Sequence, residues 1–226
     1  MICLNCGQQI TRNLSVSEIL TFSQISDRSI CDFCNRQLVK LSEFEVCSRC
    51  CKITTLKICN DCADWEKNHK IINQHFAIYG YNQFMHDYFK KYKRYGDVLM
   101  ADLFAHEIRH WASRHKFDLV TYIPSSPSHF DDRGFDPVYE LYQDIFSLES
   151  VFLKQDADRP QAQKNKLERL NTPQTFQLKV DFRKKDKNMK MLILDDIYTT
   201  GRTLLHARAV LEMAGFQNIY TFSLSR

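Results

Sequence analysis

No stretch of this chain approaches the roughly 18 to 20 unbroken apolar residues of a membrane-spanning helix, and the N-terminus lacks the basic-then-apolar profile of a secretory signal. A soluble, cytoplasmic protein is therefore expected. The Gly-rich dinucleotide fingerprint and the Gly-Lys-Ser/Thr ending of a Walker loop are also missing, which removes two common routes to a nucleotide phosphate. Charge of one sign is not in large excess. The net charge of +4 and pI near 8.5 permit contact with nucleic acid without arguing for it. Cysteine is absent after residue 62.

What is present divides unevenly. A chain of 226 residues with 44% hydrophobic content has room for one ordinary domain and a small appendage. All nine cysteines fall in the first 62 residues, and eight form Cys-x-x-Cys pairs: Cys3 with Cys6, Cys31 with Cys34, Cys47 with Cys50, and Cys59 with Cys62. The two-residue spacer makes a tight turn that presents both sulfurs to one metal, and a tetrahedral Zn2+ takes two such pairs. Eight thiolates make two zinc sites. Neighbouring pairs are expected to share a metal, because Cys47, Cys50, Cys59 and Cys62 enclose only a short loop; an interleaved pairing stays open. Closed all-thiolate sites are expected to be structural. Cys51 is left over, either a substitute for Cys50 or a free thiol. His69 and His75 follow the last pair, but four complete pairs leave them no vacancy, so they are expected to be solvated.

The character of the chain changes at about residue 70. Residues 1–70 read as a metal-stapled double zinc ribbon and 71–226 as a separate α/β domain. Apolar spacing predicts helices over 82–95 and 97–114, a strand over 118–124 closed by Pro124, and a helix over 135–146. A short strand at 151–153 is followed by a polar segment, 154–174, read as a long mobile loop interrupted by Pro160 and Pro173. Strands at 176–180, 190–194 and 219–224 then flank a helix over 203–214 that Gly215 ends. Strand and helix in alternation favour a mainly parallel sheet with helices on both faces.

The segment 192–203, Leu-Ile-Leu-Asp-Asp-Ile-Tyr-Thr-Thr-Gly-Arg-Thr, carries the most specific chemistry. An apolar strand delivers Asp195 and Asp196 to its carboxyl end, where ligands bind in open α/β sheets. There they can accept hydrogen bonds from ribose hydroxyls and face a Mg2+ carried by a pyrophosphate. Thr199, Thr200, Gly201, Arg202 and Thr203 can supply backbone N–H groups, hydroxyls and a helix N-terminus to a phosphate. An acidic strand end capping a helix through threonine would explain one of these residues, not the whole series.

This segment resembles the signature of type I phosphoribosyltransferases. Together with Tyr-Lys-Arg-Tyr-Gly-Asp at 92–97, Ile123-Pro124 leading to Arg133-Gly134-Phe135, Pro160-Gln161 with Lys164, and Leu-Glu-Arg-Leu at 167–170, it resembles the ComF (ComFC-like) family of competence proteins over essentially the whole chain. That resemblance implies a type I phosphoribosyltransferase fold binding phosphoribosyl pyrophosphate with Mg2+. Asp195 and Asp196 would be the catalytic carboxylates, Ser125, Ser126 and Ser128 would form the pyrophosphate loop, and 154–174 would close over the ligand. The family usually has Asn where this chain has Asp136, and a smaller residue where it has Tyr198.

The function so implied is late competence: uptake of single-stranded DNA into the cytoplasm beside a ComFA-like helicase, at the inner face of the membrane through such partners. Basic runs at 90–94 and 183–187 fit contact with single-stranded DNA, with Tyr88, Phe89 and Tyr92 as candidate base-stacking aromatics. A working phosphoribosyltransferase is the second expectation, although no base-binding hood is evident before Arg226. An adaptor with a vestigial phosphate site is the third.

Overall fold

The architecture is that of a computed structural model describing residues 2–10, 29–69, 74–155 and 176–226. Most of the polar 154–174 segment, with its Pro160–Leu170 motifs and Pro173, lies outside them, as does the His69 side chain. In chain order the described elements begin with α1 (Asp32–Asn35), β1 (Val39–Lys40), α2 (Asn60–His69), β2 (His75–Gly80) and α3 (Gln83–Arg94). A 3-10 helix, Val98–Phe104, leads to α4 (Ala105–Ser113), β3 (Leu119–Tyr122), α5 (Pro127–Arg133), α6 (Pro137–Tyr142) and β4 (Leu148–Glu149). The remainder is β5 (Phe152–Lys154), β6 (Phe176–Leu178), β7 (Met191–Ile197), α7 (Arg202–Met213) and β8 (Ile219–Ser225).

Six strands form one sheet in the order β1-β2-β8-β7-β3-β4, parallel throughout except for β1 at the edge. β7 lies between β8 and β3 and is buried over Met191–Asp196, which is why it reads as a continuous apolar run instead of an alternating one. Its residues nevertheless divide by parity. Leu192 and Leu194 join the cluster of Phe84, Tyr88, Tyr92, Leu103, Ile108 and Leu141, whereas Met191 and Ile193 join that of Leu204, Ala207 and Leu211 on α7. Helices therefore cover both faces of a mainly parallel sheet.

Several elements differ from the sequence expectation. The single helix predicted over 97–114 is split: Val98–Phe104 winds as 3-10 before α4 starts, with Phe104 at φ −113° and ψ 7° outside helical geometry. The helix predicted over 135–146 is confined to α6, because the Asp136 carboxylate accepts from the N–H groups of Val138 and Tyr139 and Pro137 occupies the first helical position. β2 and β4, both members of the main sheet, were not predicted. The strands expected at 151–153 and 176–180 pair instead with each other, as β5 and β6, in a separate two-stranded antiparallel sheet.

Tyr88, Phe89 and Tyr92 are buried, so they cannot stack bases. Their work is internal. The Tyr88 hydroxyl donates to the Met100 carbonyl at 3.1 Å and the Tyr92 hydroxyl to the Pro137 carbonyl at 2.7 Å, tying α3 to two neighbours while satisfying both buried oxygens. His75 is also buried, not solvated. Its ring nitrogens face the hydroxyls of Thr221 at 2.9 Å and Ser223 at 3.1 Å, and burial holds its pKa well below the usual imidazole range.

Candidate functional site

The eight paired cysteines form two groups, Cys3 with Cys6, Cys31 and Cys34, and Cys47 with Cys50, Cys59 and Cys62; within each group every sulfur lies within 4.8 Å of the others. This is the adjacent pairing, not the interleaved one. The Sγ atoms of Cys6 and Cys31 are 3.7 Å apart, as are those of Cys50 and Cys59. Four thiolates arranged tetrahedrally at ordinary Zn–S distance sit about 3.8 Å from one another, whereas a disulfide would need about 2.05 Å. Both groups could hold zinc. In the second, the N–H groups of Arg49 and Cys59 donate to the Cys47 sulfur at 3.4 and 3.3 Å, which suits a charged thiolate.

Cys51 belongs to neither group. It adopts φ 59°, donates its thiol to the His75 carbonyl at 3.2 Å, and burial pushes its pKa up to about 11, as befits a neutral thiol. The two cysteine groups are not isolated from the α/β layers. Cys3, Cys31 and Cys34 share a buried cluster with α3 and Leu194, and the second group shares one with Tyr198 and Leu204.

At the carboxyl ends of β3 and β7 a cleft of about 280 Å3 opens. Asp195, Asp196, Thr199, Thr200, Arg202 and Thr203 line one side and Ile123, Pro124 and Ser125 another. Ser126 and Ser128 do not line it. Ser126 is buried at the N-cap of α5, with its hydroxyl 3.4 Å from that of Ser128, and Pro127 starts the helix, so the expected serine loop contributes only its first member. Gly201 also stands behind the lining, as the left-handed residue (φ 76°) preceding α7. An added Cβ there would lie 2.0 Å from the Tyr198 hydroxyl oxygen, so glycine is required both by conformation and by space.

The cleft also contains cations that the sequence expectations did not name as site residues. Lys93 from α3, Arg133 from α5 and Lys154 from β5 line it with His129. Lys93 and Arg133 stand within the resembled motifs, but their convergence on Asp195 and Asp196 is made by tertiary packing and leaves no local signal. Lys93 forms an ion pair with Asp196. Burial pushes the Asp195 carboxyl up to about 7, and Asp196 adds to the shift, while Lys93 and Lys154 oppose it. The same desolvation lowers Lys154 and Arg202. Tyr142 donates its hydroxyl to the Asp195 carbonyl at 2.8 Å and so fixes the strand end that carries both carboxylates.

Chemically, this is a partly desolvated cleft with backbone and hydroxyl donors at one helix start, two carboxylates beside them, and several cations opposite. It suits a small polyanion that also carries hydroxyl groups.

Among the described residues no helix is long and apolar enough to cross a membrane. No protein-family model matches the chain. Its sequence is 35% identical to competence protein ComFC of Streptococcus pneumoniae (strain ATCC BAA-255 / R6) over 228 residues, covering 100% of both chains. It is 25% identical to competence protein ComFC of Bacillus subtilis (strain 168) over 234 residues, covering 100% of this chain and 95% of the relative.

Proposed function

The chain belongs to the ComFC family of competence proteins, and from that premise we propose that it supports uptake of single-stranded DNA during natural transformation while binding phosphoribosyl pyrophosphate in its cleft. The observation that carries the ligand assignment is the convergence of Asp195, Asp196 and the 199–203 turn with Ser125 around one cleft at the strand ends.

In this reading the α/β layers have the type I phosphoribosyltransferase fold, and residues 1–70 form a zinc-stapled unit ahead of them. The 5′-phosphate sits at the start of α7, on N–H and hydroxyl groups of Thr199 to Thr203. Ribose hydroxyls donate to Asp195 and Asp196. The pyrophosphate lies toward Ser125, Lys93, Arg133 and Lys154, whose positive charge offsets its own. Mg2+ carried by the pyrophosphate supplies further charge neutralisation. Lys93 must then exchange Asp196 for a ligand oxygen or share it. The protein works beside a ComFA-like helicase at the cytoplasmic end of DNA entry, and its DNA contact is electrostatic, with the steep salt dependence such contacts have.

The experiment is complementation of a transformation-deficient strain lacking this gene. Wild type restores transformation, and Asp195→Ala/Asp196→Ala, if the cleft serves uptake, does not. Full restoration by a stably folded double variant contradicts the link between cleft and uptake.

A second reading, transfer of ribose 5-phosphate to a nitrogenous acceptor, is favoured by Asp195, whose pKa near 7 suits proton exchange at neutral pH. Pyrophosphate release that depends on an added base supports it. Tight binding without turnover counts against it.

A further inference from the structure

Arg226, the residue after β8, bridges two sites that are far apart in sequence. Its backbone is held by the β2 edge, its N–H donating to the Tyr79 carbonyl and its own carbonyl accepting from Tyr81, both at 2.8 Å. Its guanidinium then turns to the second cysteine group. Nε donates to the Cys50 carbonyl at 3.1 Å, and Nη2 lies 3.5 Å from the Cys50 sulfur. From the same fork, Nη1 donates to the Thr199 carbonyl at 3.0 Å and lies 3.4 Å from that of Tyr198. The guanidinium carbon sits 4.7 Å from the centre of the Tyr198 ring, and that ring packs against His75 with centroids 4.3 Å apart.

This arrangement has a consequence for the cleft. A trans peptide is planar, so its C=O and the following N–H point in opposite directions. Holding the Thr199 carbonyl on Arg226 turns the Thr200 N–H away from the guanidinium and fixes the peptide between Thr199 and Thr200, two residues that line the cleft. A rigid five-donor fork can hold a thiolate and two carbonyls at once, which a lysine ammonium does less well.

We propose that Arg226 is a positioning residue that ties the phosphate turn to the Cys47/Cys50/Cys59/Cys62 centre, so that metal in that centre and ligand on the turn stabilise each other. The ligand half of this inference rests on the proposed phosphoribosyl reading. The tether itself does not. By reciprocity, metal that orders Cys50 sharpens ligand binding, and ligand that orders Thr199 tightens metal binding by the same factor. The Cys3/Cys6/Cys31/Cys34 group, which Arg226 does not touch among the described contacts, is the internal control.

The test uses full-length wild type, Arg226→Gln, Arg226→Lys and Arg226→Ala, each first assayed for two bound zinc ions. Hydrogen–deuterium exchange is followed in the peptide 198–205, phosphoribosyl pyrophosphate with Mg2+ is titrated, and zinc release to a chromogenic chelator is timed with and without it. With both ions retained, the variants are expected to exchange the 198–205 amides at least about tenfold faster and to lose affinity by a similar factor. Ligand is expected to slow release of one zinc ion in wild type and not in Arg226→Gln. Millimolar methylguanidinium is expected to restore protection in Arg226→Ala, a rescue that general destabilisation would not show. Native exchange over 198–205 in zinc-loaded Arg226→Gln overturns the proposal, as does failure of rescue. If the variants loosen the turn but wild type takes up no phosphoribosyl pyrophosphate, the tether stands and the phosphoribosyl reading is what fails.

Discussion

One oxygen of the Asp136 carboxylate accepts the backbone N–H of Ser125 at 2.6 Å, while the other caps α6 through Val138 and Tyr139 at 3.0 and 3.2 Å. A single side chain thus fixes the Ser125 side of the cleft and the start of the helix whose Tyr142 holds Asp195. Asp136→Ala removes both ties and is expected to cost about 1–2 kcal/mol of stability and to weaken ligand binding. Asp136→Asn has one acceptor oxygen in place of two, so it keeps one tie and should fall between wild type and Ala. Thermal melting with parallel ligand titration orders the three. Equal loss in Asn and Ala would contradict the two-oxygen account.

Gly201 leaves no room for a Cβ beside the Tyr198 ring. Gly201→Ala places a methyl 2.0 Å from the Tyr198 hydroxyl oxygen and 2.2 Å from the carbon bearing it, at φ 76°. The expected loss is at least about 2 kcal/mol, together with disruption of the phosphate turn. Adding Tyr198→Ser should recover the steric part and leave about 1 kcal/mol for the left-handed backbone. A double variant as unstable as the single one would place the whole cost in the backbone.

Asp195 carries a pH signature. Its carboxyl is pushed up to about 7 by burial first and Asp196 second. The fold therefore holds this proton more tightly than the unfolded chain does, and its contribution to stability declines as pH rises from about 4 through 7. Asp195→Asn removes the charge that burial disfavours. Without ligand, the variant should melt higher than wild type at pH 8, by roughly 3 °C or more, with little advantage near pH 4. A melting difference independent of pH would contradict the assignment.

Metal content tests the two cysteine groups. Wild type is expected to carry two zinc ions per chain by elemental analysis, and Cys3→Ser/Cys6→Ser one. Cys47→Ser/Cys50→Ser should also carry one but lose more ligand affinity, because its group contacts Arg226 and Tyr198. Retention of two ions by either double variant would contradict the four-thiolate sets.

How much was legible depended on whether the signal was local. The cysteine pairs declared themselves by spacing, and β7, α7 and β8 by an apolar run, a Thr-Gly start and a second run. The paired carboxylates and threonines of 195–203 were readable for the same reason. β2 was not, since its first residue is a histidine that looks solvated until Thr221 and Ser223 are placed beside it. Tyr88 and Tyr92 looked like a stacking surface because they alternate with lysines, yet α3 turns the tyrosines inward at helical spacing. Lys93, Lys154 and Arg226 reach the cleft or its support only through tertiary packing. Asp136 was visible as a departure from the family pattern, but its double role required the distance to Ser125.

The most direct measurement is isothermal titration of wild type with phosphoribosyl pyrophosphate and Mg2+, repeated with Asp195→Ala/Asp196→Ala. The account predicts one ligand per chain for wild type, dependent on Mg2+, and loss of at least about 100-fold in affinity for the variant. Absence of binding to the zinc-loaded wild type, or equal binding by the two proteins, would contradict it.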